Sequence, residues 1–160
     1  MKSKQLNVLL ADDDADDRFF FKKALADLSM DTELTTVNDG EQLMQHLSEN
    51  SEHLPNVIFL DINMPRKNGH ECLVEIKKNA KLKDIPVVMF STSNSWDSIN
   101  MLFKIGSDVY IHKPSDFAQL KQVIHHALPL VAEKIFSNSP LKYVLNASNG
   151  NRPSSGKIGE

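Results

Sequence analysis

The sequence predicts a doubly wound α/β domain, with five parallel strands forming a sheet covered by helices on both faces. Three observations predict it. Five short apolar runs alternate along the chain with five amphipathic stretches of helical period. The third run, Val57-Ile58-Phe59-Leu60, is four consecutive apolar residues, two of them β-branched. That is too short for a helix and reads as a strand buried on both faces, as a helix-covered parallel sheet requires. Finally, 160 residues with 41% hydrophobic content suit one domain with a full core. We expect that domain over residues 1–136, followed by a flexible tail over 137–160.

Residues 7–11, Asn-Val-Leu-Leu-Ala, form the first strand and run into Asp12, Asp13, Asp14, Asp16 and Asp17, interrupted only by Ala15. Asp14 or Asp16 can cap the next helix, and Asp17 sits favourably in its positive first turn. Phe20, Phe21, Ala24, Leu25 and Leu28 give that helix an apolar face. Asp12 and Asp13 are not needed for capping.

Residues 33–37 make a weaker strand, and Asp39-Gly40 turns the chain into a helix carrying Leu43, Met44 and Leu47 to about residue 50. After a loop at 51–55, strand three ends on Asp61. A tight connection with Pro65 and Gly69 leads to a helix over 71–78. Cys72 falls on the apolar face of that helix with Leu73 and Ile76. With no second cysteine in the chain it reads as core rather than as a reactive thiol.

Residues 79–84 connect to a fourth strand at 85–90, which stops at Ser91-Thr92-Ser93. A helix over 95–105 ends at Gly106, suited to a left-handed cap. Residues 108–111 make a short fifth strand on the sheet edge, followed by His112-Lys113-Pro114. The last helix starts near Ser115 or Asp116, carries Phe117, Leu120, Ile124, Leu128 and Val131, and runs through Pro129. From Asn138 onward Ser, Asn, Gly and Pro dominate, and Tyr143, Val144 and Leu145 offer only a brief docking point.

Composition excludes several functions. A net charge of -3 gives no basic excess for direct nucleic-acid binding. No stretch approaches the roughly 18 apolar residues of a membrane span, and the short run at 6–11 is no signal peptide. A cytoplasmic protein is expected.

In open α/β sheets ligands sit at the carboxyl ends of the strands. Strand one offers Asp12 and Asp13 there, strand three Asp61, strand four Ser91 and strand five Lys113. Each alone has a bland reading: a turn-forming Asp, a loop Ser, a solvated Lys before a proline. Converging, the carboxylates repel and call for a cation. An all-oxygen site that keeps water positions suits Mg²⁺, or Mn²⁺ in its place. A lysine and a hydroxyl facing an acidic metal site imply a partner with anionic oxygens, and a phosphoryl group fits. Asp61 is then an oxygen nucleophile able to form an acyl phosphate.

Four segments carry a family resemblance: Leu9-Leu10-Ala11-Asp12-Asp13-Asp14, Asp61-Ile62-Asn63-Met64-Pro65 with Gly69, Pro86 to Ser91, and Tyr110-Ile111-His112-Lys113-Pro114. Their separations are 30 residues from Asp61 to Ser91 and 22 from Ser91 to Lys113. Over roughly residues 6–130 the chain resembles the receiver domain of two-component response regulators, of the stand-alone bacterial type. The resemblance implies a flavodoxin-like strand order 2-1-3-4-5. It makes Asp61 the phosphoacceptor, Asp13 a direct metal ligand and Asp12 a ligand acting mainly through water, with Asn63 contributing its backbone carbonyl. Ser91 becomes the switch hydroxyl, Lys113 the phosphate-binding lysine and Tyr110 the switch aromatic.

It further implies a sensor histidine kinase or a histidine phosphotransfer protein as phosphodonor, and a phosphorylation-dependent homodimer or a separate protein target as reader. The chain would catalyse its own phosphorylation and dephosphorylation without turning over a separate metabolite. Ser91 stands where Thr is commoner in the family, and Thr92 where a smaller residue is usual. A flavodoxin-like cofactor binder is disfavoured because the aspartates of the first loop repel a cofactor phosphate. A phosphatase would need a further general acid and a cap. A phosphorylation-independent protein-binding module gives no reason for converging like charges.

Overall fold

In a computed structural model, the structure describes residues 5–92, 95–137, 143–146 and 150–153. In chain order the elements are β1 (Leu6–Ala11), α1 (Ala15–Ala26), β2 (Thr32–Val37), α2 (Gly40–Glu49), β3 (Val57–Asp61) and α3 (Gly69–Lys78). There follow β4 (Val87–Ser91), α4 (Trp96–Ile105), β5 (Val109–His112), α5 (Phe117–Ser137), β6 (Tyr143–Asn146) and β7 (Gly150–Pro153). The strands lie in the order β2-β1-β3-β4-β5-β6-β7. The first five are parallel in the expected order 2-1-3-4-5.

Strand residues alternate between two cores. Leu9, Ala11, Ile58, Leu60, Val87 and Met89 face α2, α3 and α4, while Val8, Leu10, Val57, Phe59, Val88 and Phe90 face α1 and α5. Because both faces are covered, β3 and β4 are buried along their whole length and read as continuous apolar runs. Among the described residues no helix is long and apolar enough to cross a membrane.

Helix starts follow the cap chemistry. Asp14, rather than Asp16, caps α1 by accepting from the amides of Asp16 and Asp17. Asp39 caps α2, and Asn68 with Glu71 forms a reciprocal capping box on α3. Gly106 closes α4 at φ 136°, where a side chain would be strained. α5 runs through Pro129.

Three expectations change. Among the described residues the sheet has seven strands rather than five. Residues 143–146, expected in a mobile tail, pair in parallel with β5, and 150–153 pair antiparallel with β6. The reason lies in Val144 and Leu145, which bury on opposite faces of the sheet, each completing one of the two cores. Residues 138–142, 147–149 and 154–160 of the expected tail lie outside the described residues.

As a consequence β5 is not an edge, and Tyr110, only 1% exposed, is held inside the sheet's α4 side. Finally, Phe20, expected on the core face of α1, is 39% exposed and packs at 5.8 Å between ring centroids on Phe117 of α5; Phe21 takes the core position.

At the end of the sheet away from Asp61, a buried ionic cluster ties helices to strands. Asp108, at the entry to β5, accepts from the Val87 amide at 3.0 Å and is ion-paired to Lys134 of α5. Lys77 of α3 lies 3.8 Å from the same carboxylate and donates to the carbonyls of Lys83 and Ile85.

Candidate phosphoryl and metal site

The site is built at the carboxyl edge of the sheet by the ends of β1, β3, β4 and β5. Asp12 and Asp61 are buried, and Asp13 beside them is exposed. Ligand atoms of Asp12, Asp13 and Asp61 lie within 4.8 Å of one another. Asp12 is fixed by the Asp14 amide, which donates to its Oδ1 at 2.9 Å, and by Arg18, whose Nη1 donates to its carbonyl oxygen at 2.8 Å. Asp61 accepts from the Asn63 amide at 3.3 Å.

The loop after Asp61 folds back tightly. The Gly69 amide donates to the Ile62 carbonyl, and a Cβ on Gly69 would lie 2.3 Å from the Asp61 carbonyl oxygen. Only glycine allows that approach. Arg66 in the same loop sits at φ 69°, strained for a residue with a side chain, and its guanidinium lies 3.6 Å from both Asp39 and Glu41 of α2.

Lys113 closes the site. Its Nζ is 2.9 Å from Asp12 Oδ2, 2.9 Å from Asp17 Oδ2 and 3.5 Å from Asp61 Oδ2, and it lies 5.6 Å from the Phe90 ring centre. Its amide donates to the Ser91 carbonyl at 2.7 Å, so strands β4 and β5 carry both residues into the crevice in register. Ser91 is buried and its side chain is hydrogen-bonded to the Tyr110 phenol. His112, facing Ser91 across the ladder, contacts the Thr92 carbonyl through Nε2 at 3.1 Å. The structure therefore brings Asp12, Asp13, Asp61, Ser91 and Lys113 to one crevice, with Asn63 beside Asp61 and Tyr110 behind Ser91.

Electrostatics follow from burial and charge. Burial pushes the Asp61 carboxyl up to about 6, against the pull of the Lys113 ammonium, with Asp12 and Asp13 adding repulsion. Asp12 is raised too, chiefly by burial, although the Asp14 amide and Lys113 oppose it. Burial works against the Lys113 ammonium, but the carboxylates of Asp17, Asp12 and Asp61 outweigh it and raise its pKa. Burial raises the Tyr110 phenol, and pushes the Cys72 thiol up to about 12, which keeps it inert.

Four carboxylates face a single ammonium here, and every donor is oxygen. That set fits a hard divalent cation, which would offset most of the excess negative charge.

A pH dependence follows. The folded protein holds the Asp61 proton to about pH 6, whereas the unfolded chain releases it near 3.8. The folded state therefore binds more protons between these values, and stability is highest below them and falls as pH rises through them. In chelator-treated protein, urea unfolding should show wild type losing on the order of 2 kcal/mol relative to Asp61→Asn between about pH 4 and about pH 7. Parallel profiles for the two proteins would show that Asp61 carries no such shift.

Two site contacts escape the sequence pattern. Asp17 reads as a helix-dipole residue and Arg18 draws no reading from the sequence, yet one pairs with Lys113 and the other braces Asp12. The available signal was their spacing from the Asp14 cap, which returns positions three and four residues on toward the strand ends.

Comparison with known proteins agrees with this geometry. Residues 8–125 match the family model described as the response regulator receiver domain. Response regulator Rcp1 of a Synechocystis species is 33% identical over 121 residues, covering 73% of this chain and 82% of that protein. Among solved structures, the phosphorylated cyanobacterial phytochrome response regulator RcpA superposes with a TM-score of 0.72 at 33% identity, covering 85% of this chain and 97% of that one. The Mn(2+)-bound form of Rcp1 gives a TM-score of 0.69 at 32% identity, covering 75% and 89%.

Proposed function

Because the chain belongs to the response-regulator receiver domain family of two-component systems, we propose that Asp61 is a phosphoacceptor that takes a phosphoryl group from a phosphohistidine of a sensor kinase or phosphotransfer protein. The observation that carries this is the Asp61 carboxylate at the end of β3, with Lys113 Nζ 3.5 Å away and two further carboxylates within 4.8 Å. Asp61 attacks phosphorus through a carboxylate oxygen, a P–O bond forms, and the P–N bond breaks with its electron pair remaining on the imidazole. Return to the ground state is attack of water on phosphorus, releasing inorganic phosphate and the free carboxylate.

Asp12, Asp13, Asp61 and the Asn63 carbonyl are the groups that would hold Mg²⁺ or Mn²⁺. A bound divalent ion supplies charge neutralisation between an anionic nucleophile and an anionic donor. The chain's own part is orientation and charge. Buried and flanked by Asp12, Asp61 is largely ionised at neutral pH yet poorly solvated, which favours a nucleophile. Lys113 supplies cationic N–H donors for phosphoryl oxygens.

Ser91 would exchange its Tyr110 partner for a phosphoryl oxygen, which frees the Tyr110 phenol and alters the α4-β5-α5 face. Trp96 and Met101 are exposed on α4 of that face, 53% and 54% accessible. They would give a second copy or a separate target an apolar footing.

The test is incubation with acetyl phosphate, with and without Mg²⁺, read by intact mass. The expected result is a gain of one phosphoryl group that requires the metal and disappears on adding chelator. No gain under any metal condition would refute the assignment.

A further inference from the structure

The Lys113 ammonium is divided unequally. Two of its contacts, to Asp12 and Asp17, are at 2.9 Å, and the one to Asp61 is longer, at 3.5 Å. An ammonium has three N–H donors, so two are committed to carboxylates other than the one at the end of β3. The two committed partners differ in kind. Asp12 is 2% exposed in its side chain and fixed by Asp14 and Arg18. Asp17 stands in the first turn of α1, its amide held by the Asp14 cap, and its side chain is 42% exposed. Only Asp17 can let go of the lysine and be solvated at once.

We infer that Asp17 is a competing counter-ion that holds Lys113 toward α1 and gives it up when a phosphoryl group reaches Asp61, so that Asp17 sets how readily the site is phosphorylated. This rests on the phosphoacceptor reading of Asp61. Asp17 touches no reacting atom and acts through Lys113, so it is a positioning residue. No bond is made or broken in the exchange. The ammonium trades a carboxylate for phosphoryl oxygens, which carry more charge and offer more acceptors. The same exchange frees the first turn of α1, which makes that turn a reporter of the state of Asp61.

Phosphorylation by acetyl phosphate in Mg²⁺ is to be timed by intact mass for wild type, Asp17→Asn and Asp16→Asn. Asp16 lies in the same turn, is exposed and makes no ion pair with Lys113 among the described residues, so its variant removes an equal charge without touching the lysine. Asp17→Asn is expected to take up phosphoryl about three- to fivefold faster, as loss of one partly exposed ion pair allows. Asp16→Asn should stay within about twofold of wild type. In wild type, the amide resonances of Asp17 and Arg18 should shift on phosphorylation.

Equal acceleration in both variants would show only weaker repulsion of an anionic donor, and would overturn the inference. So would an Asp17→Asn rate equal to wild type, or unmoved α1 resonances. A wild type that gains no mass at all would instead remove the reading of Asp61 on which the inference rests.

Discussion

Asp61→Asn is expected to abolish phosphoryl uptake from acetyl phosphate while leaving the protein folded and, without metal, more stable than wild type at neutral pH. The amide keeps the shape of the side chain and an oxygen that can accept from the Asn63 amide. It loses the anionic oxygen that the proposed reaction uses as nucleophile, and an amide is a far weaker one. Stability moves the other way because the wild-type carboxylate is buried beside Asp12 and Asp13. Ionising it costs on the order of 2 kcal/mol by pH 7, and the neutral amide is spared that cost. Function and stability are opposed at this position, as they are wherever a site assembles like charges for use. Mass spectrometry and thermal melting on one preparation check both parts. Retained, metal-dependent phosphorylation in the variant would place the acceptor elsewhere.

The second large effect lies at the opposite end of the sheet. Asp108→Ala should destabilise the domain by about 3 kcal/mol, at the lower edge of what breaking a buried ion pair costs. Three groups lose a partner at once: the Val87 amide, Lys134 and Lys77. Lys77 keeps its carbonyl acceptors, and the Lys134 side chain, 21% exposed, can turn to water, which holds the loss below the maximum. Asp108→Asn keeps an acceptor for the Val87 amide and should fall between wild type and the alanine variant. Urea unfolding measures the series, and a melting temperature lower by about 10 °C should accompany the alanine change. An alanine variant as stable as wild type would show that the cluster is held together by its surroundings.

The strand order and the crevice residues were legible because each depends on a local pattern. Val57 to Asp61 is an apolar run ending on a carboxylate, and the order of such runs with intervening helices leaves few topologies open. Contacts between distant segments left no such mark. Asp17 and Lys113 are 96 positions apart in sequence, and the spacing of Asp17 from the Asp14 cap points it toward the strand ends without naming its partner. Phe19, Phe20 and Phe21 are consecutive, and successive residues on a helix point about 100° apart. At most one could face the core fully, and the packing of α1 against α5 selected Phe21. β6 was hidden because its apolar content is three residues within a polar stretch, and its value lies in sending Val144 and Leu145 to different cores.

With β6 in place, the chain occupies its own sheet border beside Tyr110, pairing Tyr110 with Val144. A covalently tethered strand competes at an effective concentration on the order of millimolar. A foreign strand seeking the same border must outbid an occupant that never diffuses away. On the proposed phosphoacceptor role of Asp61, recognition of the phosphorylated state would be steered toward side chains on α4 and α5, and any partner entering along β5 would first have to displace a segment whose departure uncovers Leu145 and Val144. The border is a lock whose key is carried by the protein itself.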